Sequence, residues 1–194
     1  SPNDGVTPCE IEVLTPTGEY YDGDGGDVLE NVTADRVLIA TGAKPRNLPF
    51  APCDGSTIID SSDAMTLESR PDSLIIIGSG AIGMEFAYVY NAFGTKVTII
   101  EMLDRILPVE DEEISKLATR AFKKQGMTIH TSASVTSIES NGTHATVSFA
   151  GVNDPSKVEQ IDGDKVLVAI GVAPRMDGLI SDSLSIELDN GYIK

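Results

Sequence analysis

The sequence has no tryptophan, and aromatic residues of all kinds make up only 5% of its 194 residues. Its charge is one-sided, because 30 aspartates and glutamates stand against 14 lysines and arginines, a formal net charge of −16. Non-specific nucleic-acid binding needs clustered basic residues, so we expect no nucleic-acid partner. No apolar run approaches the roughly 20 residues that cross a bilayer, and the start SPNDGVTPCE lacks the basic and apolar parts of a signal peptide. We therefore expect no membrane association and a cytoplasmic location.

Cysteine is also scarce, since only Cys9 and Cys53 occur, far apart in the sequence. They form neither a CxxC or CxxxxC redox pair nor a metal-ligand spacing, so we predict free thiols in a reducing cytosol and no metal site. His130 and His144 lack acidic or cysteine neighbours at ligand spacing, which favours structural or exposed histidines. Tyr-x-x-x-Lys and Gly-x-Ser-x-Gly are absent, which argues against short-chain dehydrogenase and esterase chemistry. No catalytic residue emerges from the sequence.

Residues 74–131 alternate apolar strands with helical segments. The runs SLIIIGSG, KVTIIE and MTIHT predict three buried strands. Between them we predict a helix over Ala81–Phe93, ended by Gly94, and another over about Asp111–Gln125 with an acidic first turn and a basic last turn. This β-α-β-α-β order is half of a doubly wound parallel sheet, so the fold class is α/β and Rossmann-like. The predicted apolar faces are Ile82, Phe86, Val89 and Phe93 in the first helix, and Ile114, Leu117, Ala118, Ala121 and Phe122 in the second.

The segments on either side favour short strands. Residues 134–161 alternate in polarity, with turns at Asn141-Gly142 and Asn153–Pro155, and predict an antiparallel β-meander followed by a buried strand over Lys165–Ile170. Residues 10–41 are β-rich, with turns at Pro16–Gly18 and Asp22–Gly26. Their last part, Ala34–Thr41, ends in the apolar run VLIAT, which predicts a strand buried on both faces.

Two smaller elements complete the prediction. Ser61–Asp63 resembles the start of a short helix that would end near Pro71. Asp189-Asn190-Gly191 would turn a hairpin near the last residues of the sequence.

The residues Gly78-Ser79-Gly80-Ala81-Ile82-Gly83 fit the pattern G-x-G-x-x-G at the junction of a predicted strand and an amphipathic helix. In a dinucleotide site, Gly78 would permit the tight turn, Gly80 would let a pyrophosphate approach the backbone, and Gly83 would let the helix pack closely. The helix N-terminus offers N–H groups and a partial positive charge to phosphates. The alternative is that these glycines only make a tight β-α turn.

Glu101 closes the second strand, where the dinucleotide fingerprint expects an acidic residue. Its carboxylate can accept hydrogen bonds from the adenosine ribose, and it would repel a 2′-phosphate, so NAD is favoured over NADP. The alternative is a solvated carboxylate at a strand end. Glu85 lies in the first turns of the helix, where it would be close to the cofactor or would merely be favoured by the helix dipole.

The stretches IIIGSGAIGMEFA, KVTIIEMLDRILPVEDEEIS and VLVAIGVAPR resemble the pyridine-nucleotide-disulfide oxidoreductases. Within this family, the short motifs ILP and DEEIS that follow Glu101 most resemble those of the dihydrolipoamide dehydrogenase subfamily. Members of the family have an FAD domain, an inserted NAD domain and a C-terminal interface domain, and they form homodimers. The resemblance implies an oxidoreductase that passes electrons from dihydrolipoamide through a redox disulfide and FAD to NAD, in contact with subunits of a 2-oxo acid dehydrogenase complex.

Three features of the family do not occur in these residues: the glycine fingerprint for FAD, the CxxxxC redox pair and the C-terminal His-Glu pair. We therefore expect a segment centred on the NAD domain that does not catalyse the full reaction and does not retain FAD. Two other possibilities stay open. The chain could belong to another flavin disulfide oxidoreductase, of the NADH oxidase or mercuric reductase type, or it could be a standalone NAD-binding, redox-sensing module.

The resemblance also assigns cofactor contacts residue by residue. Residues Gly78 to Glu85 would line NAD, with Glu85 near the nicotinamide carboxamide, and Glu101 would hold the adenosine ribose. Val135 would pack by the adenine, and Gly171 would approach the nicotinamide side. Residues of the first segment would lie against FAD in the complete enzyme. The full set is Gly78, Ser79, Gly80, Ala81, Ile82, Gly83, Met84, Glu85, Glu101, Val135 and Gly171 for NAD, and Thr41, Gly42 and Ala43 for FAD.

One decapeptide occurs twice in similar form: VLIATGAKPR at residues 37–46 and VLVAIGVAPR at residues 166–175. By the resemblance, each copy would be the last strand of a nucleotide-binding unit, followed by a proline that turns the chain into the neighbouring domain. The copies would then mark domain boundaries. We predict a partial FAD-domain segment over 1–46, the NAD-binding domain over 47–174, and the start of the return to the FAD domain over 175–194.

Overall fold

A computed structural model of the chain describes residues 9–14, 27–181 and 184–194. The chain divides into two compact units, one formed by Ser1–Lys44 and Ala173–Lys194, the other by Pro45–Val172. We call the second the central unit and the first the flanking unit. Each boundary lies two residues before the predicted one. The predicted turns at Pro16–Gly18 and Asp22–Gly26 fall outside the described residues.

The described elements are three helices and fourteen strands. The helices are α1 (Ser61–Met65), α2 (Ala81–Ala92) and α3 (Glu112–Lys124). The strands are β1 (Cys9–Leu14), β2 (Val28–Ala34), β3 (Ala43–Pro45), β4 (Ile58–Ile59), β5 (Ser73–Ile77), β6 (Lys96–Ile100), β7 (Thr128–His130), β8 (Ala133–Ser140), β9 (Ala145–Gly151), β10 (Asp154–Gly163), β11 (Lys165–Val168), β12 (Val172–Pro174), β13 (Leu188–Asp189) and β14 (Tyr192–Ile193).

A five-stranded parallel sheet in the order β4-β11-β5-β6-β7 forms the centre of the central unit. The inner strands β5 and β11 are almost entirely apolar because both faces of the sheet are covered. Ile76, Ile99 and Leu167 pack with the helices on one face, while Ile75, Ile100 and Val166 pack with the meander on the other. β8, β9 and β10 form that meander as a three-stranded antiparallel sheet. The predicted α/β class, with a Rossmann-like parallel sheet and antiparallel strands, is confirmed.

Helix α2 begins at Ala81 as predicted and ends one residue earlier than predicted, with Phe93 as its C-cap and Gly94 next at a φ of 91°. The predicted apolar face is wrong at Val89 and Phe93, which are 44% and 72% exposed, whereas Phe86 packs against the core as predicted. The buried residues of the helix are Gly83, Met84, Ala87 and Tyr90. The physical reason is that α2 is apolar on nearly every side, so periodicity alone does not select a face. Small residues at Gly83 and Ala87 allow the helix to approach the sheet.

Helix α3 begins at its N-cap Asp111, whose side chain accepts from the N–H of Glu113 at 2.8 Å, as its acidic start predicts. Ala118 and Phe122 pack on the core, but Ile114 and Leu117 are 51% and 55% exposed, which corrects their predicted place in the core. The inner face of the helix runs along Ser115, Ala118 and Phe122 instead.

Helix α1 is shorter than predicted and ends at Met65 instead of near Pro71. Its cap is Asp60, not Ser61, in a capping box with Asp63. The carboxylate of Asp60 accepts from the N–H groups of Ser62 and Asp63 and so satisfies the first turn.

In the flanking unit, β1 and β2 pair antiparallel, as the alternating sequence predicts. The predicted strand over Ala34–Thr41 is not formed: residues 36–42 have no strand assignment, and Leu38 is 90% exposed. A strand buried on both faces needs neighbouring strands and two covering layers, and the described residues of this unit supply neither for this segment. β13 and β14 form the predicted hairpin through Asn190 and Gly191, which have positive φ.

β3 and β12 form a two-stranded pair, and each contains one of the points where the chain passes between units. Among the described residues, no helix is both long enough and apolar enough to cross a membrane.

Candidate functional site

The candidate site begins with a sharp turn after β5, at the carboxyl edge of the parallel sheet. Gly78 has a φ of 97°, and its N–H donates to the carbonyl of Ile100 at 2.9 Å. A Cβ on Gly78 would lie 2.4 Å from the carbonyl oxygen of Ala169, which follows β11. Only glycine fits here, because the turn needs a left-handed backbone and lies directly against the chain leaving β11. The chain passes on from β5 to β6 on one side while β11 lies on the other, which is the switch point where α/β sheets bind ligands.

The next two glycines of the motif have different surroundings. Gly80 is the N-cap of α2, and a Cβ there would meet no atom within 4 Å. A Cβ on Gly83 would lie 2.2 Å from the carbonyl oxygen of Gly78, so this glycine lets the first turn of α2 close on the turn before it. Because Gly80 has no side chain to cap the helix, the first N–H groups of α2 remain available to an anion.

Glu101 directly follows β6 and is only 7% exposed. Its Oε2 accepts from the N–H of Ser79 at 2.8 Å and from the Oγ of Ser79 at 2.7 Å. Its Oε1 accepts from the N–H of Leu103 at 2.8 Å. The acidic residue at the strand end is thus joined directly to the glycine turn, and it is not the solvated carboxylate of the alternative interpretation.

Backbone hydrogen bonds hold residues 102–110, which leave β6 beside the glycine turn. The N–H of Leu107 donates to the carbonyl of Ser79 at 2.9 Å, and Leu107 has a φ of 48°. The N–H of Ser132 donates to the carbonyl of Leu103 at 2.7 Å. We refer to residues 102–110 as the β6 exit segment. These two long-range hydrogen bonds hold the β6 exit segment in place next to Glu101 and the glycine turn.

The remaining predicted NAD contacts divide into exposed and buried groups. Ala81 and Glu85 are exposed at the start of α2, whereas Met84 is 3% exposed and packs in the core, so its side chain does not face a ligand. Ile82 is half-buried. The side chain of Ser79 is likewise buried, at 0% exposure.

The last two predicted NAD contacts lie on other elements of the central unit. Val135, on β8, is half-buried against the meander side of the core. Gly171 is exposed, has a φ of 109°, and would have open space around a Cβ.

The residues predicted to lie against FAD belong to the flanking unit. The Oγ1 of Thr41 donates to the carbonyl of Arg175 at 2.9 Å, and the carbonyl of Gly42 accepts from the N–H of Arg175 at 3.1 Å. Ala43 begins β3. All three are exposed, and they lie on a segment held by the second copy of the decapeptide repeat.

The bonds made by Ser79, Leu103 and Leu107 are the part of the site that sequence patterns miss. The G-x-G-x-x-G pattern allows any residue at position 79, and it does not include the residues that follow Glu101. One signal was available: a serine between two glycines, with an acidic residue at the next strand end, places a donor beside an acceptor.

The two histidines and Cys53 lie elsewhere. His130 makes an edge contact with Phe149, and the Nδ1 of His144 lies 3.0 Å from the Oδ1 of Asp164. Burial of the Cys53 thiol, together with the carboxylates of Asp60, Asp63 and Asp54, raises its pKa to about 12, so it stays protonated at neutral pH. Within the described residues no group of histidine, cysteine or acidic side chains could hold a metal ion.

Comparison with known proteins gives a consistent result. A sequence profile of the pyridine nucleotide-disulphide oxidoreductases matches residues 10–194. A dihydrolipoyl dehydrogenase of Bacillus subtilis is 39% identical over 185 residues, which cover 92% of this chain and 39% of that protein. Another from Mycobacterium leprae is 42% identical over 157 residues, covering 81% of this chain and 33% of that protein. The chain thus spans about two fifths or less of these relatives.

Solved structures agree with the sequence relatives. The crystal structure of LpdA from Mycobacterium tuberculosis matches with a TM-score of 0.73 and 33% identity, over 84% of this chain and 34% of that one. RclA, an HOCl-induced flavoprotein disulfide reductase from Escherichia coli, matches in its Cu(II) complex with a TM-score of 0.71 and 29% identity, over 85% and 37%. The profile match, the sequence identities and the shared fold together establish that the chain belongs to the pyridine nucleotide-disulphide oxidoreductase family.

Proposed function

We propose that the central unit is an NAD-binding domain. The observation that carries the proposal is the glycine turn at the switch point of the sheet, with open space at Gly80 and a buried carboxylate, Glu101, beside it. The uncapped start of α2 would receive the pyrophosphate, because its N–H groups are unpaired and the helix dipole favours an anion. Glu101 would accept a hydrogen bond from the adenosine ribose.

The preference for NAD over NADP follows from the surroundings of Glu101. A 2′-phosphate would add negative charge beside a carboxylate that is already fixed by three donors. Two unit charges about 4 Å apart near a protein surface repel by roughly 4 kcal/mol. Arg105, the first basic residue of the β6 exit segment, is engaged with the carbonyl of Pro108 at 3.2 Å.

For the whole protein we propose a dihydrolipoyl dehydrogenase, supported by the relatives of that name. When bound, FAD and NAD would supply the electron transfer from dihydrolipoamide by way of a redox disulfide. The residues of this chain bind and orient NAD, with Gly171 and Glu85 near the nicotinamide, and Thr41, Gly42 and Ala43 would lie against FAD. A cytoplasmic homodimer bound to a 2-oxo acid dehydrogenase complex completes the proposal.

A second candidate is another flavoprotein disulfide reductase. It is favoured by the similarity to RclA, whose TM-score of 0.71 is close to that of LpdA. The proposed nucleotide site rests on the residues of this chain and is therefore compatible with either candidate.

Calorimetric titration of the chain with NADH and NADPH tests the nucleotide site. We expect NADH to bind at least about tenfold more tightly, a difference of roughly 1.4 kcal/mol. Glu101→Ala should narrow this gap, because it removes both the ribose acceptor and the charge that repels a 2′-phosphate.

Glu110→Ala is the matched control for charge. Glu110 is exposed in the same β6 exit segment, so this variant changes the net charge equally without altering the contacts of Glu101. It should keep the wild-type gap. Equal affinities for NADH and NADPH in the wild type would refute the role of Glu101, and no binding of either would refute the proposed domain function.

A further inference from the structure

Ser79 occupies a position that the dinucleotide fingerprint leaves open, yet every polar group of this residue is bonded. Its N–H and its Oγ both donate to the Oε2 of Glu101, and its carbonyl accepts from the N–H of Leu107. Its side chain is 0% exposed, so the hydroxyl cannot reach a ligand from solvent. Ser79 therefore does something other than contact the cofactor with its side chain.

The hydrogen bonds of Glu101 define what remains available to a ligand. An ionised carboxylate offers about four lone-pair positions. Oε2 accepts two donors, both from Ser79, and Oε1 accepts one, the N–H of Leu103. One acceptor position is left, on Oε1, and the 7% exposure of Glu101 shows that a small part of the residue meets solvent.

We propose that Ser79 is a positioning residue for cofactor selection. Its hydroxyl holds Oε2 inside the protein, so that Oε1 alone is presented to the 2′-hydroxyl of the adenosine ribose. This inference rests on the proposed NAD site and assigns the recognition of that hydroxyl to a Ser79–Glu101 pair, not to Glu101 alone.

The hydroxyl is needed because the backbone bond by itself leaves the carboxylate free to turn. With alanine at position 79, Oε2 of Glu101 would accept a hydrogen bond only from the backbone N–H of that residue. One buried lone pair of Oε2 would then have no donor. A buried, charged acceptor that loses a donor finds another orientation or draws in water. The carboxylate would then no longer present Oε1 in one direction.

Ser115 offers a matched comparison in the same part of the structure. Its side chain is 1% exposed, and its Oγ donates at 3.1 Å to the carbonyl of Leu107, in the same β6 exit segment that Ser79 also holds. It does not bond to Glu101. Ser115→Ala therefore removes a buried serine hydroxyl from the segment while leaving the carboxylate of Glu101 with all its donors.

The experiment measures the calorimetric affinity of the full chain for two probes, NADH and its 2′-deoxyadenosine analogue. Ser79→Ala should weaken NADH about tenfold and change the affinity of the analogue by about twofold or less, because the analogue lacks the hydroxyl that Glu101 reads. Ser115→Ala should change both affinities by the same factor. Ser79→Cys, with a weaker donor of similar size, should fall between wild type and Ser79→Ala.

The outcomes separate the two proposals. If Ser79→Ala weakens both probes equally, as Ser115→Ala does, Ser79 is only structural and the inference is overturned while the NAD site stands. If the wild type binds NADH no better than the analogue, recognition of the 2′-hydroxyl fails, and with it the inference. If the wild type binds neither, the proposed NAD site itself fails. If the Ser79→Ala variant does not fold, the same two affinities are measured for Ser79→Cys. A larger loss for NADH than for the analogue supports the inference, and equal losses overturn it.

Discussion

At the scale of single residues, the three glycines of one motif meet three different physical demands. At position 78 the backbone is left-handed and a side chain would clash with its neighbours, so both conditions require glycine. At position 83 only the lack of space for a side chain requires glycine. Gly80 needs neither for folding, because it has open space and a φ of −67°. The open space at Gly80 is what the proposed pyrophosphate site requires, because a side chain there would stand between the backbone and the ligand.

Substitution of these glycines should separate folding from binding. Gly80→Ala should lower NADH affinity at least about tenfold while costing no more than about 1 kcal/mol of stability, the usual penalty for alanine at an N-cap. Gly78→Ala should cost several kcal/mol, about 3 or more, because a clash is added to backbone strain. Urea unfolding and calorimetry with NADH measure the two effects.

Gly94→Ala is the control for backbone strain. Gly94 has a φ of 91° but open space for a Cβ, and it lies at the other end of α2. Its replacement should cost about 1–2 kcal/mol and leave NADH affinity unchanged. Unchanged NADH affinity in Gly80→Ala would contradict the placement of the pyrophosphate.

At the scale of elements, two hydrogen bonds between a backbone N–H and a side chain join the starts of the neighbouring parallel strands β5 and β11. Ser73, at the start of β5, and Asp164, just before β11, exchange hydrogen bonds: the N–H of Ser73 donates to Oδ2 of Asp164, and the N–H of Asp164 donates to Oγ of Ser73, each at 2.9 Å. Burial alone would raise the pKa of Asp164, but the bonds from Ser73 and the nearby His144 outweigh it and lower the pKa.

Asp164→Asn should therefore change the acid stability of the protein. Because the pKa of Asp164 is lowered in the folded state, its contribution of about 1 kcal/mol is present above the unfolded pKa of about 3.9 and is lost as the pH falls through the folded value. The variant should be less stable than wild type at pH 7, and this difference should shrink below about pH 4. Urea unfolding across this pH range measures it.

Asp72→Asn is the control, since the side chain of Asp72 is 89% exposed in an ion pair with Arg70. Surface pairs contribute less than about 1 kcal/mol, so this variant should follow the wild-type pH curve closely. A stability difference for Asp164→Asn that is constant from pH 7 to pH 3 would show that the carboxylate charge is not what stabilises the two strands.

At the scale of the whole molecule, the core belongs to one unit. Every buried apolar residue among those described lies between Ala51 and Val168, inside the central unit. In the flanking unit, Leu29 and Leu38 are 64% and 90% exposed. The stability of the chain should therefore come mainly from the central unit.

Residues 45–172 expressed alone should unfold cooperatively and bind NADH within about threefold of the whole chain, because the core and the proposed NAD contacts are all inside this segment. A shorter segment ending at Gly163 should not fold, since it lacks β11, which pairs with both β4 and β5. Circular dichroism on heating and calorimetry measure the two properties. Loss of cooperative unfolding in 45–172 would contradict the assignment of stability to the central unit.

The sequence by itself determined the alternation of strands and helices, the acidic start of α3, the glycine turn and the acidic residue after β6. These are local features, decided by side-chain period and by the backbone freedom of glycine. Only the tertiary structure decided which face of α2 is buried, because that helix is apolar on most sides. Only the tertiary structure decided that residues 36–42 do not form a strand, because no neighbouring strand among the described residues pairs with them. It also brought the hydroxyl of Ser79 to Glu101. Packing and hydrogen bonding between residues far apart in sequence depend on the arrangement of all the elements, and no local pattern records that arrangement.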